Sequence, residues 1–175
     1  MFNHKMKFLT AIVFSLAIFA SFSHAQVCTP TPSGIVAWYA ADGNPNDISG
    51  NGNHGTLQNG ATFAAGQVGQ SFNFTASDQR VEIPDNASLD LTNGVTLEAW
   101  IAPSQVGEAT NGTTIITKGD LTSFSNQPYG LLYGSNGRIA MRVGNTTTFE
   151  AAESTSVLPL NTFSHVVGSY DGNVI

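Results

Sequence analysis

The sequence predicts an all-β fold built from antiparallel strands, and three observations carry that prediction. Short runs rich in Val, Ile, Phe, Tyr and Trp recur from Gly34 to Tyr170, each closed by Gly, Asn, Asp or Pro. Within several runs apolar and polar residues alternate, the period of a strand with one buried face. No segment from Gln26 onward sustains a strong 3.6-residue apolar period. About ten strands result, at the spacing of a sandwich or a barrel.

Taken in order, Gly34–Tyr39 is the first expected strand, followed by a polar stretch from Asp42 to Gly55. Gln70–Phe74 alternates and sets Phe72 and Phe74 on one face; Arg80–Pro84 alternates until proline stops it. Val95–Ile101 places Val95, Leu97, Ala99 and Ile101 on one face and Thr96, Glu98 and Trp100 on the other. Further strands are expected at Thr113–Thr117, Tyr129–Tyr133, Arg138–Val143, Thr147–Ala151 and Phe163–Tyr170. Asp171-Gly172-Asn173 is a hairpin turn signal with only Val174 and Ile175 after it. A turn without its returning strand reads as a chain cut within a hairpin, the N-terminal part of a longer multidomain protein.

The N-terminus has a different character. Lys5 and Lys7 precede an apolar run from Phe8 to Phe22 that ends in Ser23-His24-Ala25. This is the pattern of a secretory signal peptide over 1–25, cut after Ala25, and it predicts a secreted, extracellular protein. The run is shorter than the ~20 residues that span a bilayer, so membrane insertion is not expected. Residues 26–33 read as a short leader holding Pro30 and Pro32, and 34–175 as one domain.

The full chain carries 6 Lys+Arg against 12 Asp+Glu, a net charge of −6. Removing Lys5 and Lys7 with the signal leaves four cations against the same twelve acids, or −8. So acidic a surface repels phosphate backbones, which excludes nucleic acid as the expected partner. Cys28 is the one cysteine. In a secreted chain it is a free thiol, an intermolecular bridge or half of a disulfide completed outside this sequence. The truncated ending favours the last.

An ordered series of motifs resembles the laminin-G-like jelly-roll family of the concanavalin A-like lectin/glucanase superfamily. Gly34–Tyr39, Asp42-Gly43-Asn44 and Asp47–Gly55 are similar to its opening strand and its D-x-S-G-N-G-N-x-G loop. Gly66–Phe74, Val81–Pro84, Val95–Ile101 and Phe163–Gly172 resemble its later segments, with Phe163 where a Trp is usual. The resemblance implies a two-sheet antiparallel jelly-roll sandwich, here incomplete at its C-terminus. It also implies a role in carbohydrate binding or adhesion, often with one calcium ion.

The loop from Asp42 to His54 concentrates hard oxygen donors, the ligands calcium prefers. Its spacing is not that of an EF-hand, since the sixth position is Asp47 rather than Gly. Asp47, Asn51 and Asn53, with Asp171 from the last turn, form the candidate metal set. Asn, Asp and Gly in such a loop equally serve as plain turn formers. Trp38 and Trp100 are expected in the core, as Trp within sandwich strands usually is. Phe124, Tyr129 and Tyr133 lie nearer loops and are the candidate ligand-binding aromatics.

No catalytic pattern is visible. Glycosidases of this fold class carry paired acids on one strand, whereas Glu82 and Asp85 flank Pro84, and Glu150 and Glu153 lack a central acid. Glu98 stands alone, and His165, in mid-strand, reads as a packed or satisfied residue rather than a base. The expected function is a secreted, non-catalytic module binding glycan or an extracellular protein surface, with calcium support. The alternatives are a structural or adhesive spacer and the accessory module of a glycan-active enzyme.

Overall fold

Ten strands, all paired antiparallel, make up the described part of the chain. The computed structural model describes residues 32–108, 112–119, 128–144 and 149–175, within the unit Pro32–Ile175. The expected signal segment, Cys28 and Phe124 lie outside the described residues.

Strands β1 (Thr56–Gln58) and β4 (Arg80–Glu82) pair with each other and bracket the hairpin of β2 (Thr62–Ala65) and β3 (Gln70–Asn73). A tight turn links β1 to β2, where Asn59 and Gly60 both adopt positive φ and Ala61 N–H donates to Gln58 C=O at 3.1 Å. Neither β1 nor β2 is among the strands expected from sequence. On the hairpin, Phe63 and Phe72 sit directly opposite each other, with ring centroids 5.7 Å apart, and Phe74 stacks on Phe72.

Strand β5 (Val95–Ile101) pairs along its whole length with β10 (Ser164–Tyr170), despite the long sequence separation. Between them in the chain, β6 (Thr113–Lys118), β7 (Tyr129–Tyr133), β8 (Ile139–Gly144) and β9 (Phe149–Glu153) form a four-stranded meander in sequence order. A bulge in β6 between Thr114 and Ile116 leaves one residue of that strand unpaired.

The core lies between the β5–β10 pair and the meander. Val95, Leu97 and Val166 from the pair pack on Tyr129, Leu131, Tyr133, Ile139, Met141 and Val143 from β7 and β8. Every one of these belongs to an alternating set, so the period-2 pattern of the sequence is what closes the sandwich. The fold is the expected all-β sandwich.

One expected strand is not a strand. Gly34–Tyr39 contributes a single bridge, Tyr39 to Asp47. Its backbone groups bond to side chains instead of a ladder: Asn51 donates to Ile35 C=O, Asn53 to Val36 C=O, and Trp38 N–H to Asp47.

At Gly168 the two layers approach closely. A Cβ there would stand 2.9 Å from Met141 Cβ and Sδ and 3.0 Å from Leu131 Cδ1. Gly168→Ala is therefore expected to destabilise the fold by about 1–3 kcal/mol through overpacking, read as a lowered urea midpoint.

Candidate binding face and the loop that flanks it

The loop expected to hold metal is a knot of hydrogen bonds centred on Asp47. Its Oδ1 accepts from Trp38 N–H at 2.9 Å and Ser49 N–H at 2.8 Å. Its Oδ2 accepts from Ser49 Oγ at 2.9 Å and Asn53 N–H at 3.0 Å. Burial raises the pKa of this carboxyl, but the four donors outweigh burial and hold it at about 2.

Asn53, also buried, extends the knot across the chain. Its Nδ2 donates to Val36 C=O and to Ser88 Oγ, which tethers the loop to the 3-10 turn at Ala87–Leu89. Its own C=O accepts from Tyr39 Oη at 2.5 Å. Burial, followed by the charge of Asp47, pushes the Tyr39 phenol up to about 12. Asn51 is exposed, and its amide donates to Ile35 C=O and Ser49 Oγ.

Asp171 is not part of this assembly. Its Oδ1 accepts from Asn173 and Val174 N–H, both at 2.8 Å, and closes its own turn. Those backbone donors hold its carboxyl below the usual carboxylate range. Among the described residues no hydrogen bond or ion pair joins it to the 42–54 loop, and no three His, Cys, Asp or Glu side chains gather as metal ligands.

A hard cation needs oxygens with lone pairs to spare, and Asp47, the one carboxylate in the knot, already accepts four bonds. Asn51 turns its NH2 group, not an oxygen, into the loop's bonding. In this structure the side chains of Asp47, Asn51 and Asn53 bond mainly to backbone groups.

The candidate aromatics change places as well. Tyr129 and Tyr133 are 5% and 3% exposed and belong to the core, with Tyr129 Oη donating to Leu89 C=O at 2.9 Å. Neither can present a ring to a ligand. Conversely, the tryptophans expected in the core are exposed, Trp38 by 43% and Trp100 by 52%.

Trp100 lies on the outer face of the β5–β10 pair, where the register places it directly opposite His165. The two rings lie 5.1 Å apart at 32°. One step along, Glu98 faces Val167, and Glu98 Oε2 is 3.5 Å from His165 Nε2. One step further, Thr96 and Ser169 share a 2.9 Å hydroxyl–hydroxyl bond. The result is a narrow strip of one ring platform, one carboxylate and three further polar side chains, backed by the core. Four residue steps at about 3.3 Å make the strip roughly 13 Å long. His165 is thus a surface residue, not a packed one.

A family model matches residues 75–175, and the chain belongs to the concanavalin A-like lectin/glucanases superfamily. The matched range holds both strands of the outer face and the whole meander; the Asp47 loop precedes it. Domains of the laminin-G-like type within that superfamily are typically binding modules for carbohydrate or protein. Searches of curated proteins and of solved structures returned no match.

Two outcomes are expected of the Asp47 knot. The folded-state pKa of about 2 lies below the ordinary 3.8, so this carboxylate stabilises the fold fully above the ordinary value. That contribution, on the order of 2 kcal/mol, is lost as pH falls through about 2. Asp47→Asn should flatten the acid limb of a melting-temperature profile; an unchanged limb would remove Asp47 from this role. Millimolar calcium should leave the melting temperature of the wild-type chain where it is, and a clear rise would show that the knot opens to a cation.

Proposed function

We propose that this chain is a secreted, non-catalytic module that recognises glycans through the outer face of β5 and β10. The observation that carries the reading is the exposed Trp100 ring beside His165 and Glu98, on a strand pair whose other face is core. Sugar rings offer C–H faces to an indole and hydroxyls to the polar groups around it, so a ring with a polar rim is the arrangement such a ligand needs. The strand pair holds the strip rigid, which keeps the entropy cost of ordering it low on binding.

Secretion is supported by the basic, apolar and small-residue sequence of 1–25. The non-catalytic reading is supported by the state of the acids. Asp85 and Asp90 converge on Lys118 Nζ, at 2.6 and 2.9 Å, and this cation holds Asp85 below the usual carboxylate range. A general acid needs the opposite shift.

Binding is measured by affinity electrophoresis and calorimetry against a panel of polysaccharides. Wild-type protein is expected to bind at least one and to release no reducing ends from it. Trp100→Ala is expected to weaken that binding by about 2 kcal/mol, roughly thirty-fold, with an unchanged melting temperature. Undiminished binding by the alanine variant would move the site elsewhere, and release of reducing ends would make the protein an enzyme.

A further inference from the structure

The charge arrangement around the outer face carries a statement about which glycans it accepts. It rests on the reading of that face as a glycan site.

Anionic glycans, sulfated or uronate-bearing, are held by cations with bonds to spare, above all by arginine forks. The described residues contain four lysine and arginine side chains, and each is engaged. Arg80 pairs with Glu82 at 2.8 Å and Arg138 with Glu153 at 3.7 Å. Lys118 is held between Asp85 and Asp90, which together raise its pKa. Arg142 is engaged too. None of the four lies on β5 or β10.

On the face itself the balance is reversed. Glu98 is the charged residue at the middle of the strip, and its carboxylate is well exposed. Its ionisable partner among the described contacts, His165, carries charge only when protonated. The rest of the strip, Thr96, Ser169, Trp100 and Val167, is uncharged. The chain as a whole has a net charge of −6.

We infer that the outer face of β5–β10 binds uncharged hexose glycans and rejects polyanionic ones, with Glu98 as the residue that sets this choice. One sugar ring stacks on Trp100. Hydroxyls of that ring and its neighbour donate to the Glu98 carboxylate, a charge-assisted bond that a hydroxyl forms and an ionised sulfate or carboxylate group, with no proton to give, does not. A bound polyanion would instead place like charges side by side at Glu98, against the field of an acidic protein. Selection arises from a repulsive group built into the site as well as from the attractive ring.

The test titrates the full chain with uncharged gluco-, manno- and galacto-hexose oligomers, and with heparin and oligogalacturonate, by calorimetry at low salt. Wild type is expected to bind an uncharged oligomer and neither polyanion. Glu98→Lys is expected to acquire binding of oligogalacturonate or heparin, at least about ten-fold above wild type, and to lose it again in high salt. Glu98→Gln is expected to weaken the uncharged ligand several-fold without admitting the polyanions strongly. Thermal melting of each variant confirms that the fold is kept. Polyanion binding by wild type as tight as that of any uncharged oligomer would overturn the inference while leaving the glycan site standing. So would a Glu98→Lys variant that gains nothing. Failure of every glycan, charged or not, to bind wild type would instead overturn the glycan reading itself, and this inference with it.

Discussion

The pairing register of β5 with β10 is the constraint on which the rest of the structure depends. Side chains in a strand alternate faces with a period of two, so a slip of one residue exchanges everything inside for everything outside. In the observed register Val95, Leu97 and Val166 point at the meander, while Trp100, Glu98 and His165 point away from it. A slipped pair would bury Glu98 unpaired and expose the core, at a cost of several kcal/mol. Gly168 locks the register further, because only a residue without a Cβ fits against Met141 and Leu131 there. The same alternation that closes the core therefore builds the binding face, and neither can change alone.

The Asp47 knot solves a different problem. Residues 34–39 form no strand and gain only one bridge, so their backbone groups need partners from elsewhere. Asp47, Asn51 and Asn53 provide them, and Ser88 ties the result to a segment some 35 residues away in the chain. Buried polar side chains of this kind are stable only when every group is satisfied, and the carboxylate of Asp47 meets that condition with four donors. Residues suited to a hard cation are equally suited to backbone N–H groups. Composition alone cannot tell the two uses apart.

Much of the fold was legible in the sequence because hydrophobic alternation is a local signal with a direct structural meaning. It placed β5, β7, β8 and β10 and assigned the faces of β5 correctly. What escaped were β1 and β2, three and four residues long, whose pairing depends on the Asn59-Gly60 turn rather than on apolar content. The binding face was half legible. Alternation put Trp100 with Thr96 and Glu98, yet the general habit of strand tryptophans to be buried pointed to the core. The local pattern was the better guide. The same pattern places Tyr129 and Tyr133 with Leu131 on the core side of β7, against their proximity to loops. That His165 would stand opposite Trp100 required the register across more than sixty residues, which no local feature encodes.

Trp100 stands as a solvent-facing platform held by that register, and tryptophan fluorescence in a Trp38→Phe variant isolates its signal. The expected result is the red-shifted emission of an exposed indole, ready quenching by acrylamide, and protection from the quencher when a bound glycan covers the ring. A blue-shifted emission that acrylamide cannot reach would place Trp100 in the interior, and would contradict both the register and the binding face built on it.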